Sequence, residues 1–225
     1  AQTFGNAEVK CTTEQGKPDE VIVAKAGVDK NTLISMATHG RSGLDRWLMG
    51  SVTEKVLRST ANPLLLIRAV EEAASEGRAN LKSILVPLDG SELAESVISA
   101  VASLAKELRL KVILLRVYSM PSGAYADDTY YAAHYEEIIT TIRDEAVEYL
   151  ASKVAAIKKL GVAEVSCITR DGFAAEEIIA AAQEIPDNFV AMSTHGRSGV
   201  RRWALGSVTE TVARHSGDPV LILRA

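Results

Sequence analysis

The chain lacks several features that mark large functional classes. Its 225 residues contain no apolar run near the ~20 residues that span a bilayer, so we expect no membrane segment. The net charge is −4 and the pI is near 5.7, which argues against nucleic-acid binding through a basic face. The opening residues, AQTFGNAEVK, lack the basic end and apolar stretch of a signal peptide, so we expect none.

Cysteine is scarce, with one residue at position 11 and one at position 167. Each lies in an alternating stretch, Val9–Thr13 or Val165–Thr169, that predicts a strand. We interpret each cysteine as a small buried hydrophobe, because free cysteine is often buried. The two predicted strands belong to separate sheets, so we expect no disulfide between them. This pattern suits a reducing cytoplasm.

What the chain does have is an internal repeat. THGRSGLDRWLMGSVTEKVLRSTANPLLLIRA ends at Ala69, and THGRSGVRRWALGSVTETVARHSGDPVLILRA ends at Ala225. The match extends back to GNAEVKCTTEQG at Gly5 and GVAEVSCITRDG at Gly161, and roughly half of the positions are identical. The most similar part is a loop rich in Gly and Ser. Loop sequences vary unless they carry a function. The similarity of this loop in the two copies therefore indicates that both copies once had the same function.

The second copy alternates apolar runs with helical patterns. Continuous apolar strands between helices predict a parallel sheet that is covered on both faces. The predicted strands are Lys82–Pro87, Lys111–Val117, Ala163–Thr169, Phe189–Thr194 and Val220–Leu223. The predicted helices are Ser91–Leu108 (with Ser91 as N-cap), Tyr135–Leu160, Ala174–Gln183 and Ser207–His215, and Ser119–His134 is predicted as a surface excursion.

Right-handed crossovers then give an α/β fold with a doubly wound, five-stranded parallel sheet in the order 3-2-1-4-5. Three segments follow along the chain. Residues 1–69 are interpreted as the back half of a first domain, 70–80 as a linker, and 81–225 as a complete second domain. The first copy lacks strands one and two. Either the sequence is missing residues there, or another chain supplies that half.

Two segments should meet at the switch point between strands one and four of the second copy, where ligands bind in such folds. One is Val86–Ser91, which contains Asp89. The other runs from Thr194 to Gly199 and continues to Gly206–Thr209 at a helix start. Glycines and a helix N-terminus suit phosphate, hydroxyls at Ser207 and Thr209 add donors, and the acid suits a ribose hydroxyl. Together they indicate a nucleotide.

These residues resemble the universal stress protein family. Gly196, nine residues, Gly206 and Ser207 match most of its G-x2-G-x9-G-[ST] motif, and Val86 to Asp89 match its V-x-x-D motif. The resemblance covers residues 81–225 and the back half of the first copy. It implies tandem domains of the adenine nucleotide alpha hydrolase-like fold. It also implies bound ATP, or ADP or AMP, with Mg²⁺.

The resemblance assigns a role to each matching residue. Asp89 would contact ribose, and the backbone near Pro87 and Val117 would hold adenine. The phosphates would be held by Gly196, Arg197, Gly199, Gly206, Ser207, Val208 and Thr209. The corresponding residues of the first copy are Gly40, Arg41, Gly43, Gly50, Ser51, Val52 and Thr53, and its ribose acid lies outside the sequence. No residue is predicted as a ligand of the metal, and none is predicted to be catalytic.

Other side chains of these loops have two interpretations each. His39 and His195 either fix the loop or act in catalysis, without an evident carboxylate partner in the sequence. Arg41 and Arg197 either clamp a phosphate or are solvated. Trp47 and Trp203 either anchor the loop or stack on a base. Tyr125, Tyr130, Tyr131 and Tyr135 would cover the adenine side or a partner surface.

The leading hypothesis is therefore an ATP-binding, nucleotide-responsive stress or regulatory module, at most a slow ATPase. The alternative is a nucleotide-free universal stress protein that acts as a dimerising scaffold. Ser193 and Ala37 replace the motif's first glycine, and a Cβ there would crowd a phosphate, which favours the alternative. In this family the last strands pair across subunits. We therefore expect a homodimer, or a pseudo-dimer within one chain, formed by Pro63–Arg68 and Pro219–Arg224.

Two enzyme classes do not fit the pattern. A nucleotidyl transferase of related fold carries His-x-Gly-His early in the chain, whereas Pro87–Ser91 contains no histidine. A P-loop kinase requires G-x4-G-K-[ST], and the sequence has no such motif.

Overall fold

A computed structural model describes residues 9–38, 49–68, 80–120, 128–194, 196 and 205–224, with the side chains of 128–133 outside this set. The helices are α1 (Pro18–Ala26), α2 (Ser51–Ser59), α3 (Glu92–Glu95), α4 (Ile98–Leu108), α5 (Asp128–Lys159), α6 (Ala174–Glu184) and α7 (Ser207–His215). The strands are β1 (Ile34–Ala37), β2 (Leu64–Ile67), β3 (Ser83–Pro87), β4 (Lys111–Tyr118), β5 (Val165–Asp171), β6 (Asn188–Ser193) and β7 (Val220–Leu223).

The described strands form one seven-stranded sheet in the order β1-β2-β7-β6-β3-β4-β5. Every neighbouring pair is parallel except β2 and β7, which are antiparallel. The α/β class with a mainly parallel sheet is thus confirmed. Numbered within the second copy alone, its strands lie in the order 3-2-1-4-5.

Strand β3 shows why the central strands are apolar throughout. Its burial is nearly complete, and successive side chains point to opposite faces of the sheet. Leu85 packs in a core with α2, α6 and α7, whereas Ile84 and Val86 pack in a second core with α4 and α5. A strand covered on both faces has no polar face, so an unbroken apolar run is the expected sequence.

The two copies meet along β2 and β7, the last strand of each. Leu65 lies opposite Leu221, and these residues occupy equivalent positions in the repeat, so a pseudo-twofold axis passes between them. On either side, Leu64 lies opposite Ile222 and Leu66 opposite Val220. This is the pairing within one chain that the resemblance implies. The homodimer stays a prediction.

Charged groups follow the same pseudo-symmetry. The Arg58 guanidinium lies 3.2 Å from Glu54 and 3.5 Å from Glu210, and that of Arg214 lies 2.9 Å from Glu210 and 3.4 Å from Glu54. Each arginine thus contacts a carboxylate on its own helix and one on the helix of the other copy. We call these four residues the ion quartet.

The strand predicted around Cys11 is wrong, and so is the burial predicted for both cysteines. Residues 9–13 have no regular structure, and Cys11 and Cys167 are exposed. In the second copy β5 pairs with β4. The described residues of the first copy contain no counterpart of β4, so the Cys11 segment has no neighbour to pair with. Cys167 lies on β5, an edge strand of the described sheet, and is exposed there.

Two helix boundaries also differ from the sequence predictions. The single helix predicted over Ser91–Leu108 is broken into α3 and α4, and the Ser96 hydroxyl donates to the Leu93 carbonyl next to the break. Helix α5 begins at Asp128, within the stretch predicted as a surface excursion. Pro121 and Gly123 are the residues that predict a loop there, and both lie outside the described residues.

We expect Leu64→Ala to destabilise the protein because the side chain is 1% exposed and packs in a core that both copies share. The free energy of unfolding should fall by about 2–5 kcal/mol. Ile67→Ala, on the same strand but 42% exposed, is the matched control and should cost less than about 1 kcal/mol. Guanidinium unfolding followed by circular dichroism measures both. Equal losses would show that the β2 core face contributes no more than its exposed end.

Candidate functional site

A cavity of about 390 Å³ opens where β3, β4, β5 and β6 end and α7 begins. Its walls come from four consecutive strand ends. Pro87, Leu88 and Asp89 follow or end β3, Val117 and Ser119 lie at the end of β4, Gly172 and Phe173 follow β5, and Ser193 ends β6. This edge is the switch point of a doubly wound sheet, where ligand sites are expected.

The structure brings eight of the seventeen predicted site residues together on this cavity. They are Pro87, Asp89, Val117, Gly196, Gly206, Ser207, Val208 and Thr209. Four more, Gly50, Ser51, Val52 and Thr53, lie at the start of α2 in the first copy and do not line it. The other five, Gly40, Arg41, Gly43, Arg197 and Gly199, lie outside the described residues. The role of all seventeen as ligand contacts stays a prediction.

The alternatives for the other loop side chains are tested only in part. His39, Trp47, His195, Trp203 and Tyr125 lie outside the described residues, as do the side chains of Tyr130 and Tyr131. Tyr135 is 44% exposed and does not line the cavity, so it does not cover an adenine site there.

The loop after β3 holds the Asp89 carboxylate in place. Asp89 Oδ1 accepts hydrogen bonds from the Ser91 amide at 2.9 Å and from the Ser91 hydroxyl at 2.6 Å. Ser91 Oγ in turn accepts from the Ala94 amide at 3.1 Å, so Ser91 caps α3 as predicted. Gly90 has a φ of +84°, a conformation that glycine adopts without strain. The carboxylate is therefore fixed by the start of the next helix.

Backbone from the other side of the cavity approaches Asp89 closely. A Cβ built on Gly196 would lie 2.2 Å from Asp89 Oδ2. No side chain fits at that distance, so position 196 requires glycine as long as Asp89 keeps its place. The two predicted motifs, one from each strand, are thus in contact at Asp89 and Gly196.

The N-terminus of α7 supplies amide donors. The first amide bonded within the helix is that of Glu210, which donates to the Gly206 carbonyl at 2.9 Å. Among the described residues, no side chain caps this end of the helix. The amides of Ser207, Val208 and Thr209 therefore lie at the positive end of the helix dipole, where anions bind favourably.

The Thr209 hydroxyl does not act as sequence reasoning predicts. Its Oγ1 donates to the Ser193 carbonyl at 2.9 Å, and the residue is 3% exposed. Thr53 makes the equivalent bond to the Ala37 carbonyl at 3.1 Å. In both copies this hydroxyl fixes the helix to the preceding strand. Ser207 is exposed, so its hydroxyl is the one that remains at the helix start.

Sequence reasoning missed a polar cluster next to the cavity. Arg116 lines the cavity and donates from Nη1 to the Leu88 carbonyl at 3.2 Å. Its guanidinium and the Lys153 ammonium each lie 5.2 Å from the centre of the Tyr149 ring. Tyr149 donates to Glu95 at 2.9 Å, and Lys153 pairs with Glu95 at 2.7 Å. The spacing of Tyr149 and Lys153 puts them on one face of α5, but nothing in the sequence indicates Glu95 or Arg116 as their partners.

Burial and hydrogen bonding in this cluster shift the pKa values of Tyr149 and Glu95. Burial raises the pKa of Tyr149, and its hydrogen bond to Glu95 raises it further, so the phenol stays protonated. Burial alone would also raise the pKa of Glu95. The hydrogen bonds from Lys153 and Tyr149 together outweigh it and hold the pKa of Glu95 below its usual 4.5. The carboxylate is thus ionised near neutral pH.

Neither a grouped set of metal ligands nor a membrane-spanning helix is found in the part of the chain that the structure describes. Among the described residues, no three His, Cys, Asp or Glu side chains are grouped to hold a metal ion. None of their helices is long and apolar enough to cross a bilayer. What the cavity presents is an acid, amides at a helix start and apolar walls.

We expect Glu95→Gln to destabilise the protein by about 1 kcal/mol at pH 7, since it removes the charge that pairs with Lys153. The folded pKa lies below 4.5, so this contribution is complete above pH 4.5 and is lost as the pH falls through the folded pKa. Thermal unfolding of wild type and variant between pH 3 and 7 measures it. Glu92→Gln, on the same helix and exposed, is the control. A stability difference that does not shrink in acid would contradict this role.

Comparison with known proteins identifies the family. The chain matches the model of the universal stress protein family over residues 1–68 and 80–224. It is 28% identical over 145 residues to universal stress protein YxiE of Bacillus subtilis, covering 63% of this chain and 97% of that protein. It is also 28% identical over 158 residues to universal stress protein MJ0577 of Methanocaldococcus jannaschii, covering 64% and 94%.

Solved structures agree with these matches. The structure of MJ0577 superposes with a TM-score of 0.56 over 64% of this chain and 96% of that one. A universal stress protein from Archaeoglobus fulgidus superposes with a TM-score of 0.63 over 96% of this chain and 70% of that one. At 22% identity, that likeness shows the fold alone. The family match spans both copies of the repeat, and the chain belongs to the universal stress protein family.

Proposed function

We propose that the second copy binds an adenine nucleotide, ATP in the first place, in the cavity at the switch point. One observation carries the proposal. Along the sheet edge, from β6 through β3 to β4 and β5, the cavity presents helix amides, then a carboxylate, then an apolar end. Phosphate, ribose and base follow one another in the same order in a nucleotide.

The phosphate end lies at β6 and α7. Gly196 and Gly206 keep the backbone free of side chains, and the amides of Ser207 and Val208 lie at the positive end of α7. Amides and a dipole fixed by the fold need no rearrangement to receive an anion. Ser193, which replaces the first glycine of the family motif, lines the same end, and its carbonyl is engaged by Thr209.

The ribose position lies at β3, in the centre of the sheet edge. The Asp89 carboxylate lines the cavity and is held by Ser91 through Oδ1. Each carboxylate oxygen can accept more than one hydrogen bond. A sugar hydroxyl donating to an ionised carboxylate makes a charge-assisted bond, stronger than one to a neutral acceptor.

The base end lies where β4 and β5 finish. Leu115, Val117 and Ile178 line it together with Pro87. Pro87 and Val117 are the residues whose backbone is predicted to contact adenine. Apolar walls beside backbone polar groups are the usual surroundings of a ligand ring, which buries its faces and bonds at its edge.

We propose that Mg²⁺ binds together with the nucleotide, through the phosphate groups. Among the described residues no acidic cluster is placed to hold a metal, so the ion would be bound mainly by phosphate oxygens and water, as is usual for magnesium. The protein's share is the fixed arrangement of amides around the phosphates. Any hydrolysis would be slow, since no general base is assigned among the described residues.

Nucleotide binding would make this protein a responsive module rather than an efficient enzyme. Helix α7 begins at the cavity and carries Glu210 and Arg214 of the ion quartet. Binding at its N-terminus would act on a helix that contacts the other copy. The homodimer expected from the family stays part of the proposal.

Analysis of the purified protein tests the proposal directly. Heat should release bound nucleotide from the full chain, and mass spectrometry should identify it as ATP, ADP or AMP. ATP with Mg²⁺ should also raise the melting temperature of the emptied protein. Neither nucleotide nor a thermal shift would overturn the proposal and would support the nucleotide-free scaffold.

We expect Asp89→Asn to weaken ATP binding by about 1–2 kcal/mol, roughly 5- to 30-fold, because a neutral amide replaces the ionised acceptor. Asparagine keeps an oxygen for Ser91, so the loop should hold its shape. Isothermal titration calorimetry measures the affinity. Asp171→Asn removes the same charge from an exposed residue at the end of β5 that does not line the cavity, and it should leave the affinity unchanged. Equal affinities for Asp89→Asn and wild type would remove Asp89 from the site.

A further inference from the structure

Phe173 lies at the mouth of the cavity and is 76% exposed, the second highest exposure among the large exposed hydrophobics of the described residues. It directly follows Gly172 and β5, the strand that lies three positions from β6 along the sheet. An aromatic side chain that stays in water contributes little burial to the fold. Its position beside a ligand-sized cavity therefore needs another explanation.

The local backbone does not need an aromatic side chain at this point. Phe173 is the N-cap of α6, and its side chain makes no capping bond. N-caps favour Ser, Thr, Asp and Asn, whose side chains bond to the free amides, so phenylalanine is a poor choice for helix stability. The main chain of Phe173 forms the first turn of α6, because the Phe173 carbonyl accepts a hydrogen bond from the Glu177 amide at 2.9 Å. A residue that goes against the usual N-cap preference and also lines a cavity indicates a functional role.

The first copy provides an internal comparison. The equivalent residue is Lys17, again an N-cap after a glycine. Its φ and ψ are −74° and 126°, against −83° and 127° for Phe173, and the preceding glycines have φ values of +148° and +144°. Lys17 points to solvent and pairs with Glu20 at 2.9 Å. The same turn thus forms with a lysine, and the aromatic ring stands in the copy that lines the cavity.

We propose that Phe173 stacks on the nucleobase and gives the site its affinity for the base. This inference rests on the proposed function and extends it to a residue outside the family motif. Phe173 follows β5 and lines the same cavity as the apolar residues Val117 and Ile178. The face of an exposed aromatic ring can stack on a nucleobase. Such stacking contributes measurably to nucleotide affinity and does not depend on the hydrogen-bonding groups at the edge of the base.

Two ligands separate the base end from the phosphate end. The full chain is titrated calorimetrically with ATP and with inorganic triphosphate, both with Mg²⁺. Phe173→Ser should lower the affinity for ATP by about 5- to 150-fold and leave that for triphosphate unchanged. Phe173→Tyr keeps a ring and should bind ATP within about threefold of wild type. Because serine is a good N-cap, the melting temperature of Phe173→Ser should equal or exceed that of wild type.

Each other outcome contradicts a defined part of the argument. Wild-type affinity for ATP in Phe173→Ser would overturn stacking and leave the proposed function intact. An equal loss for ATP and triphosphate would also overturn stacking, since the effect would then not depend on the base. Loss of ATP binding in Phe173→Tyr would show that the ring itself is not what binds. If wild type binds neither ligand, the proposed function and this inference fall together.

Discussion

The central position of β3 is the constraint on which the cavity depends. β3 pairs with β4 on one side and with β6 on the other. The chain leaving β3 enters α3 and α4, which pack in the core of one face, whereas the chain leaving β6 enters α7, which packs in the core of the other face. Because the two connections diverge, a crevice opens between them. Asp89 lines this crevice two residues after the end of β3, and Gly206 lines it at the start of α7.

The sequence predicted the parts of this fold that depend on burial in the interior. Ile84, Leu85 and Val86 form an unbroken apolar run because both faces of β3 are covered, and a run bounded by turn residues is readable without a structure. The same reasoning failed at Cys11, where the alternating pattern is present but the neighbouring strand is not. An alternating pattern shows that a segment is able to form a strand. Whether it does so depends on a neighbouring strand from another part of the sequence.

The candidate site divides along the same line. Asp89, Gly196 and Gly206 could be found from the sequence because each is tied to a motif with fixed spacing. Arg116, Tyr149 and Glu95 could not, because they come from β4, α5 and α3 and meet only in the folded protein. Phe173 was missed for a different reason. Phe173 is notable because its side chain is exposed beside the cavity, and the sequence does not show whether a phenylalanine is exposed or buried.

The interface between the copies combines a strong apolar contact with weaker polar ones. Leu64 and Leu66 are buried against Val220 and Ile222, and burial of four aliphatic side chains outweighs partly exposed ion pairs, which typically contribute 0.2–1 kcal/mol each. The ion quartet therefore specifies the orientation of the two copies more than it stabilises them. Its arginines and glutamates can form ion pairs between α2 and α7 only when these helices face each other about the pseudo-twofold axis. Arg224 strengthens the match by donating to the Arg58 carbonyl at the last turn of α2 at 2.9 Å.

One short helix, α7, both lines the cavity and contacts the first copy. The first turn of α7 lines the cavity, its Glu210 and Arg214 contact the first copy, and Val212 between them is fully buried. Because α7 has only nine residues, we expect a displacement of its first turn to displace the quartet residues as well. The hydrogen bond from Thr209 to the Ser193 carbonyl resists such a displacement by holding the helix to β6. The first copy repeats this bond between Thr53 and Ala37, so the restraint that fixes the helix start is a property of the repeat and not of the cavity.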